Sequence, residues 1–279
     1  MQLRSSVAVN LASRQLALSG LSGEAQLSGK PLTGEPLALK FAADVSADLA
    51  AQLVQISNLK LSAEGLNVAG DVRAESILST PVLSGAIAAP QFALATVLAR
   101  FGVALPATRD PKVLKAAAFS GKFKYDGKRI SIAPLNLQLD DATLNGSLAA
   151  STGGALEFDL STDRLNVDRY LPAAVAGAPP AALGALPVSA LRDLNIKGAI
   201  KVGDLHYAGL DLSKVAVGIT AKDAQLRLSP LQANLYEGSY TGDIRIDARK
   251  DLPVMYLNEQ VSNLDADALF KALKVSTGA

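Results

Sequence analysis

Few side chains in this sequence have the chemistry that catalysis or metal binding requires. His206 is the only histidine among 279 residues, and the chain has no cysteine. A zinc site or a Ser-His or Cys-His nucleophile would therefore have to use His206. Because His206 falls in the alternating run 205–210, the pattern predicts a solvent-facing strand residue. We predict no metal site and no cofactor.

Two pairs of carboxylates have the residue type that acid–base chemistry or calcium binding would use. Asp140 and Asp141 fall at a predicted turn, and Asp265 and Asp267 fall at a predicted helix start. Turn formation and helix capping account for both pairs. The ligand spacing of an EF-hand loop is missing, so we expect no calcium site.

The segment 121–128 superficially resembles a phosphate-binding loop. It has one residue too many between its glycines, and no Ser or Thr follows the lysine. The pair Asp126-Gly127 instead predicts a hairpin turn. No stretch of the sequence carries the residues of an active site, and we predict that the protein is not an enzyme.

The elements that organise the chain are three degenerate copies of one pattern, at 59–74, 135–150 and 231–246. Each copy alternates apolar and polar residues, breaks at a short turn and alternates again, which predicts a β-hairpin. Gly70, Gly146 and Gly242 hold the same place in the second strand. A glycine there predicts a bulge or the close approach of another backbone.

A short helical pattern follows each hairpin copy. The patterns predict helices near 92–102, 166–171 and 265–273. Asn166 and Asp265 stand where two of these helices would be N-capped. The repeat divides the chain into a first hairpin-plus-helix repeat over 1–103, a second over 104–172, a Pro/Ala-rich linker or loop over 173–190, and a third repeat over 191–279 that we expect to be truncated.

The predicted fold is mainly β. We expect an elongated, curled antiparallel sheet, a repeating and taco-like β-groove, with about three short helices. Three short helices cannot cover every apolar strand face, so the strands either pack against a second sheet or leave a lined trough. A β-sandwich is therefore the alternative. About 19 additional residues near 205–221, relative to the second repeat, predict one extra strand or hairpin.

Composition excludes some classes of function. The net charge is +1, too small for the basic field that nucleic-acid binding needs. Residues are 49% hydrophobic but only 5% aromatic, so the apolar character is aliphatic. The nearest candidate for a transmembrane run, Pro172 to Val188, contains four prolines and is not expected to span a membrane.

An aliphatic, aromatic-poor strand face favours a trough for acyl chains, because large exposed apolar patches mark binding sites. Under this hypothesis the lining comes from the apolar positions of the second and third hairpin copies: Leu135, Leu137, Leu139, Leu144, Leu148, Leu231, Leu235 and Ile244.

The stretch from about Phe92 to the end resembles the C-terminal region of AsmA-family proteins of Gram-negative bacteria. The resemblance is carried by the hairpin at 135–146 and by Leu165-Asn-Val-Asp-Arg-Tyr-Leu171, Leu235-Tyr-Glu-Gly-Ser-Tyr-Thr-Gly-Asp-Ile244 and Leu264-Asp-Ala-Asp-Ala-Leu-Phe-Lys-Ala-Leu273. It implies a periplasmic protein anchored in the inner membrane by an N-terminal helix, related to bridge-like lipid-transfer proteins. We expect the sequence to be a segment of such a protein without the anchor.

The resemblance implies a non-enzymatic role: a hydrophobic β-groove that binds or conducts phospholipid acyl chains between the inner and outer membranes and supports outer-membrane integrity. Envelope proteins are expected as further partners. The alternative is a structural or assembly scaffold for outer-membrane biogenesis, with sheet edges contacting other proteins. A hydrolase of an envelope polymer is a weaker alternative, because no paired-carboxylate cleft falls on predicted loops.

Overall fold

The computed structural model of the protein describes residues 2–30, 32–105, 107–172, 191–192, 194–250 and 252–272. Their contacts divide the chain into two compact units. The first unit comprises Met1–Pro106 and Leu114–Asp141, and the second comprises Ala107–Val113 and Ala142–Ala279. Both units are mainly β, which confirms the predicted fold class at that level.

The first unit contains eight described strands that pair antiparallel in chain order. They are β1 (Gln2–Asn10), β2 (Gln15–Leu27), β3 (Leu37–Asp48), β4 (Leu53–Ala63), β5 (Leu66–Glu75), β6 (Val82–Ala93), β7 (Ala116–Tyr125) and β8 (Arg129–Leu139). Helix α1 (Leu94–Arg100) follows β6. The Gly121–Lys128 segment forms the β7–β8 hairpin, as predicted, and Asp126 accepts hydrogen bonds from the N–H groups of Lys128 and Arg129 in its turn.

The second unit contains seven described strands, also in chain order. They are β9 (Ala142–Ser151), β10 (Leu156–Asn166), β11 (Ile196–Tyr207), β12 (Leu210–Lys222), β13 (Gln225–Leu235), β14 (Gly238–Asp247) and β15 (Val254–Ser262). The predicted sheet was antiparallel throughout, and this is wrong at one place: strands β10 and β11 pair parallel, while the other neighbours within this unit pair antiparallel. A 3₁₀ turn (Val167–Arg169) follows β10, and helix α2 (Ala266–Ala272) follows β15.

Strand β12 is the predicted additional strand. It lies between β11 and β13, at the place where the sequence has extra residues relative to the second repeat. The predicted linker over 173–190 lies outside the described residues, but the strands on either side of it, β10 and β11, pair directly. A parallel pair requires a long crossover connection, which accounts for the length of chain between these two strands. The predicted repeat boundaries at 103, 172 and 190 come from sequence similarity between the repeats, and they stay predictions.

Alternating residues give each unit one apolar face, because side chains on successive residues point to opposite sides of a sheet. On the first unit, paired positions form an eight-strand row that crosses β1 to β8: Val7, Leu18, Val45, Ile56, Val72, Gly85, Phe123 and Ile132. On the second unit, a seven-strand row crosses β9 to β15: Leu148, Phe158, Gly198, Ile219, Leu228, Ile244 and Leu257.

A bulge keeps these faces continuous in the first strand of each hairpin copy. The register shifts lie between Ile56 and Leu59 in β4, between Ile132 and Leu135 in β8, and between Leu228 and Leu231 in β13. In each strand the two apolar residues that precede the shift at alternate positions, such as Val54 and Ile56 in β4, are even-numbered, and those that follow it are odd-numbered. One extra residue therefore returns both sets to the same face.

Two details of the helix prediction are wrong. The second predicted helix is a single 3₁₀ turn, so the described residues hold two α-helices with defined bounds, not three. Asn166 makes no capping bond and its Oδ1 is buried without a hydrogen-bond partner, so the helix start lacks the side-chain acceptor that would satisfy its amides. Asp265 does cap α2, accepting a hydrogen bond from the Ala268 N–H at 3.2 Å.

The glycine prediction holds with one difference. A Cβ added to Gly70 or Gly146 would overlap a backbone carbonyl of the next strand, of Ala86 or Asp159 respectively. A Cβ on Gly242 would instead meet side chains, the Glu259 carboxylate and the Tyr240 hydroxyl. The first two glycines therefore allow a close backbone approach, and the third makes room for polar side chains.

Candidate functional site

The candidate site is the apolar strand face of each unit. Within each unit the strong strand contacts run between neighbours in the sheet order, and no second sheet of the same unit packs on this face among the described residues. No large side chain in the described chain is fully buried. A sandwich within either unit, the alternative fold, would place a second sheet there and bury these side chains. The face instead leaves aliphatic side chains half-buried.

In the second unit, the predicted lining residues share this face. Leu148 and Ile244 belong to the seven-strand row, and Leu231 pairs with Val217 in the adjacent row. Leu144 lies four residues before Leu148 on β9, and Leu235 lies four residues after Leu231 on β13. An even separation along a strand puts each pair on the same face. All five side chains are half-buried.

In the first unit, the predicted residues are consecutive apolar positions of β8. Leu135, Leu137 and Leu139 pair with Gly121, Phe119 and Ala117 of β7. Leu135 is buried and the other two are half-buried. Alternation puts all three on one face, as predicted, but whether this face binds a ligand stays a prediction.

A glycine and a phenylalanine pair across strands in both units. Gly85 pairs with Phe123 in the first unit, and Gly198 pairs with Phe158 in the second. A Cβ added to Gly198 would overlap the Phe158 ring, and a Cβ added to Gly85 would overlap the Asp71 carbonyl and also meet the Phe123 ring. The rings therefore lie over the glycines, where they cover backbone that the glycines leave exposed.

The opposite face of the second unit is charged. Asp243 on β14 accepts hydrogen bonds from Arg227 on β13 (2.6 Å and 3.0 Å) and from Arg245 (2.9 Å and 3.2 Å). These hydrogen bonds from two guanidinium groups hold the pKa of the Asp243 carboxyl far below its usual range. The sheet therefore separates an ionic face from an aliphatic one.

One polar contact on the aliphatic face was not predicted from the sequence. Tyr240 on β14 donates its hydroxyl hydrogen bond to the Glu259 carboxylate on β15. Burial and this carboxylate raise the pKa of Tyr240 to about 12. The sequence does carry a signal, because Glu259 shares the odd-numbered alternation of Met255, Leu257 and Val261. The alternation of β15 puts this carboxylate on the apolar side of the sheet.

His206 has a structural role in the second unit. Its Nδ1 lies 2.7 Å from an Asp211 carboxylate oxygen, and its Nε2 lies 3.5 Å from Asp168. Asp168 also accepts hydrogen bonds from the N–H groups of Ala208 (2.6 Å) and Gly209 (3.0 Å) in the β11–β12 turn. Burial opposes ionisation, but these hydrogen bonds hold the pKa of Asp168 below its ordinary value. The cluster ties the 3₁₀ turn to the neighbouring hairpin.

Asp140, which was also singled out from the sequence, has a local structural role as well. Asp140 occupies the predicted turn with a positive φ of 52°. Its carboxylate accepts hydrogen bonds from the N–H groups of Leu114 (2.7 Å), Lys115 (3.0 Å) and Ala116 (3.4 Å), a contact that the sequence did not reveal. Across the described ranges, no three His, Cys, Asp or Glu side chains converge in a way that could hold a metal ion.

The described helices are too short or too polar to cross a membrane. Comparison of the chain with protein-family models, with curated proteins and with solved structures gives no match.

Proposed function

We propose that this protein is a non-enzymatic lipid-binding segment whose apolar strand faces hold acyl chains. The observation that carries the proposal is that paired apolar residues form a row across every described strand of each unit, while the side chains on it stay partly exposed. An aliphatic surface of this kind gains free energy, about 25 cal/mol for each Å² removed from water, when hydrocarbon covers it.

Acyl chains suit this surface better than a flat or aromatic ligand does. The rows consist mainly of Leu, Ile and Val, and the two phenylalanines in them lie over glycines. Aliphatic side chains offer dispersion contacts along their whole length without directional hydrogen bonds. A flexible chain can therefore occupy the face in many registers, which is what conduction of a lipid requires.

The wider cellular role that we propose follows from the resemblance to AsmA-family proteins. In that role the protein is periplasmic, is attached to the inner membrane, and moves phospholipid between the inner and outer membranes. The near-neutral charge of the chain fits a partner bound mainly through hydrocarbon.

The experiment is photocrosslinking in cells with a photoreactive amino acid on one face or the other of the same strand. Positions 228 and 257 lie in the seven-strand row, and positions 227 and 258 are their neighbours on the ionic face. We expect lipid adducts, identified by mass spectrometry after organic extraction, at 228 and 257 but not at 227 and 258. Equal labelling of both faces, or no lipid at either, would contradict the proposal.

A second candidate function, an assembly scaffold, is favoured by the sheet edges. Strand β15 is an edge strand, and Met255, Tyr256 and Leu257 are 52%, 59% and 61% exposed. Edge strands of this kind can pair with a strand from another protein. If the scaffold is the function, crosslinks from β15 go to protein and not to lipid, and the same photocrosslinking experiment distinguishes the two.

A further inference from the structure

The polar contact between Tyr240 and Glu259 lies within an otherwise apolar row of the second unit. Paired positions place Glu259 at the end of a row that crosses β9 to β15, here called the Glu259 row: Gly146, Leu160, Ile200, Val217, Leu231, Gly242 and Glu259. Glu259 is the one charged member of this row. Its position on the edge strand lets the carboxylate stay hydrated while the aliphatic members lie farther into the sheet.

The neighbouring residues leave space for this carboxylate. Gly242 pairs with Glu259, and any side chain at Gly242 would collide with the carboxylate and with the Tyr240 hydroxyl. Tyr240 supplies one hydrogen-bond donor to Glu259. An ionised carboxylate has about four acceptor positions, so one phenol does not satisfy it.

No cation neutralises Glu259 within the described part of the chain. The ion pairs of β13 and β14 lie on the opposite face, where Asp243 binds Arg227 and Arg245. A negative charge beside an aliphatic surface repels an anionic headgroup and attracts a cationic one.

We propose that Glu259, oriented by Tyr240, binds the ammonium group of an amine-bearing amphiphile whose hydrocarbon tail lies along Leu231 and Val217. This inference rests on the proposed function, because it assigns the polar end of the ligand to one end of the same face. The ammonium group has three N–H donors that match the remaining acceptor positions of the carboxylate. The site thus selects amine headgroups over anionic ones.

The test compares three dodecyl amphiphiles below their critical micelle concentrations: dodecylammonium, neutral dodecyl maltoside and dodecyl sulfate. Calorimetric titration of the full chain gives the affinity for each. We expect all three tails to bind and dodecylammonium to bind most tightly. Glu259→Gln should lower the preference for dodecylammonium over dodecyl maltoside by about two- to fivefold, the range for an exposed ion pair.

A matched control places the carboxylate on the opposite face of the same strand. Gln260 is the next residue of β15 and faces the opposite side, where it pairs with Thr241. The double variant Glu259→Gln/Gln260→Glu keeps net charge and strand composition but should still lose the preference. Tyr240→Phe removes the phenol hydroxyl that orients the carboxylate but keeps the carboxylate itself, so it should weaken the preference less than Glu259→Gln does. Circular dichroism of each variant checks that the sheet is intact.

The outcomes separate this inference from the proposed function. An unchanged preference in Glu259→Gln, or a preserved preference in the double variant, overturns the ammonium site while binding of dodecyl maltoside leaves the lipid-binding face standing. Failure of the wild-type chain to bind any of the three amphiphiles overturns both.

Discussion

The two units use the same alternation of residues but bury their apolar side chains to different extents. In the first unit the buried apolar residues, among those described, are Ala43, Ala89, Ala117 and Leu135. In the second unit buried residues form two clusters, one around Val202 and Val215 and the other around Leu191 and Ala221. An alternating pattern therefore predicts which residues share a face but not how deeply they are buried, and in one of the two clusters residues outside the strands, Leu191 and Leu194, add to the burial.

The second unit differs from the first in strand direction as well. Within the first unit, β6 and β8 run in the same direction because β7 pairs antiparallel with both. Within the second unit, β10 and β11 are parallel, and the additional strand β12 reverses the chain once more before β13. Strands β10 and β13 consequently also run in the same direction. The parallel pair removes one reversal of strand direction, and the extra strand adds one back.

The largest expected difference in unfolding free energy comes from replacing one valine by glutamate on the apolar face of each unit. Val215 is 5% exposed within a buried cluster, whereas Val45 of the eight-strand row is half-buried. Val215→Glu leaves an unpaired buried charge and should cost about 3–5 kcal/mol. Val45→Glu should cost about 1 kcal/mol because its carboxylate reaches water. Hydrogen-exchange mass spectrometry reports each unit separately, and equal losses would remove the distinction between the units.

A smaller effect is expected at the repeated glycine. Gly70→Ala in the first unit forces a Cβ against the Ala86 carbonyl, so we expect a loss of about 1–3 kcal/mol from overpacking. Gly242→Ala in the second unit meets only the ends of the Tyr240 and Glu259 side chains and should cost about 0.5 kcal/mol. Denaturant unfolding measures both, and a larger loss for Gly242→Ala would show that the Tyr240–Glu259 contact is rigid.

Acid should weaken both units through hydrogen-bonded carboxylates. Hydrogen bonds from the Gly20 N–H and the Asn58 amide lower the pKa of Asp44 in the first unit, and the β11–β12 turn lowers the pKa of Asp168 in the second. The stability that each contributes is present above the unfolded pKa of about 4 and is lost as pH falls through the lower folded pKa. Asp168→Asn should flatten this dependence more than Asp44→Asn, because the Asp168 side chain is only 14% exposed. The check is the unfolding midpoint between about pH 2 and 6; the reverse order would make the first unit the more acid-sensitive one.

The smallest effect concerns Tyr240 at alkaline pH. Its folded pKa of about 12 exceeds the unfolded value, so the contribution of this tyrosine is present below about pH 10 and is lost as pH rises toward 12. Absorbance titration of tyrosinate should show a group that titrates near pH 12 and that Tyr240→Phe removes. Glu259→Gln should move that group to lower pH, since it removes the neighbouring charge. An unmoved titration would assign the shift to burial alone.

The alternation of apolar residues was enough to predict the β class, the hairpins, the additional strand near 205–221 and the shared face of Leu135, Leu137 and Leu139. These features depend on side-chain periodicity, which is local in sequence. The bulge at Ser229-Pro230 was missed although Leu228 and Leu231 show the change of parity. The parallel pairing of β10 with β11 depends on contacts between strands that lie far apart along the chain, and no local pattern encodes it.

Short helices and polar contacts were predicted less well for a similar reason. Asn166 has the residue type of a helix cap but makes no capping bond, because capping also depends on the backbone geometry of the next turn. Asp140 was assigned to a turn, yet the segment at Leu114 to Ala116 that its carboxylate binds is 24 to 26 residues away. Glu259 is identifiable by parity, but its partner Tyr240 follows only from the pairing of β14 with β15.

The extra residue in β4, β8 and β13 sets the side of the sheet that all later residues of the strand face. Deleting Pro230 would keep every other residue of β13 but would shift Leu231, Ala233 and Leu235 by one place, onto the ionic side of the sheet. Deletion or insertion of a single residue at this point is thus far more damaging than substitution. Length variation in such a chain is tolerated at the turns, where the next strand can restore the phase.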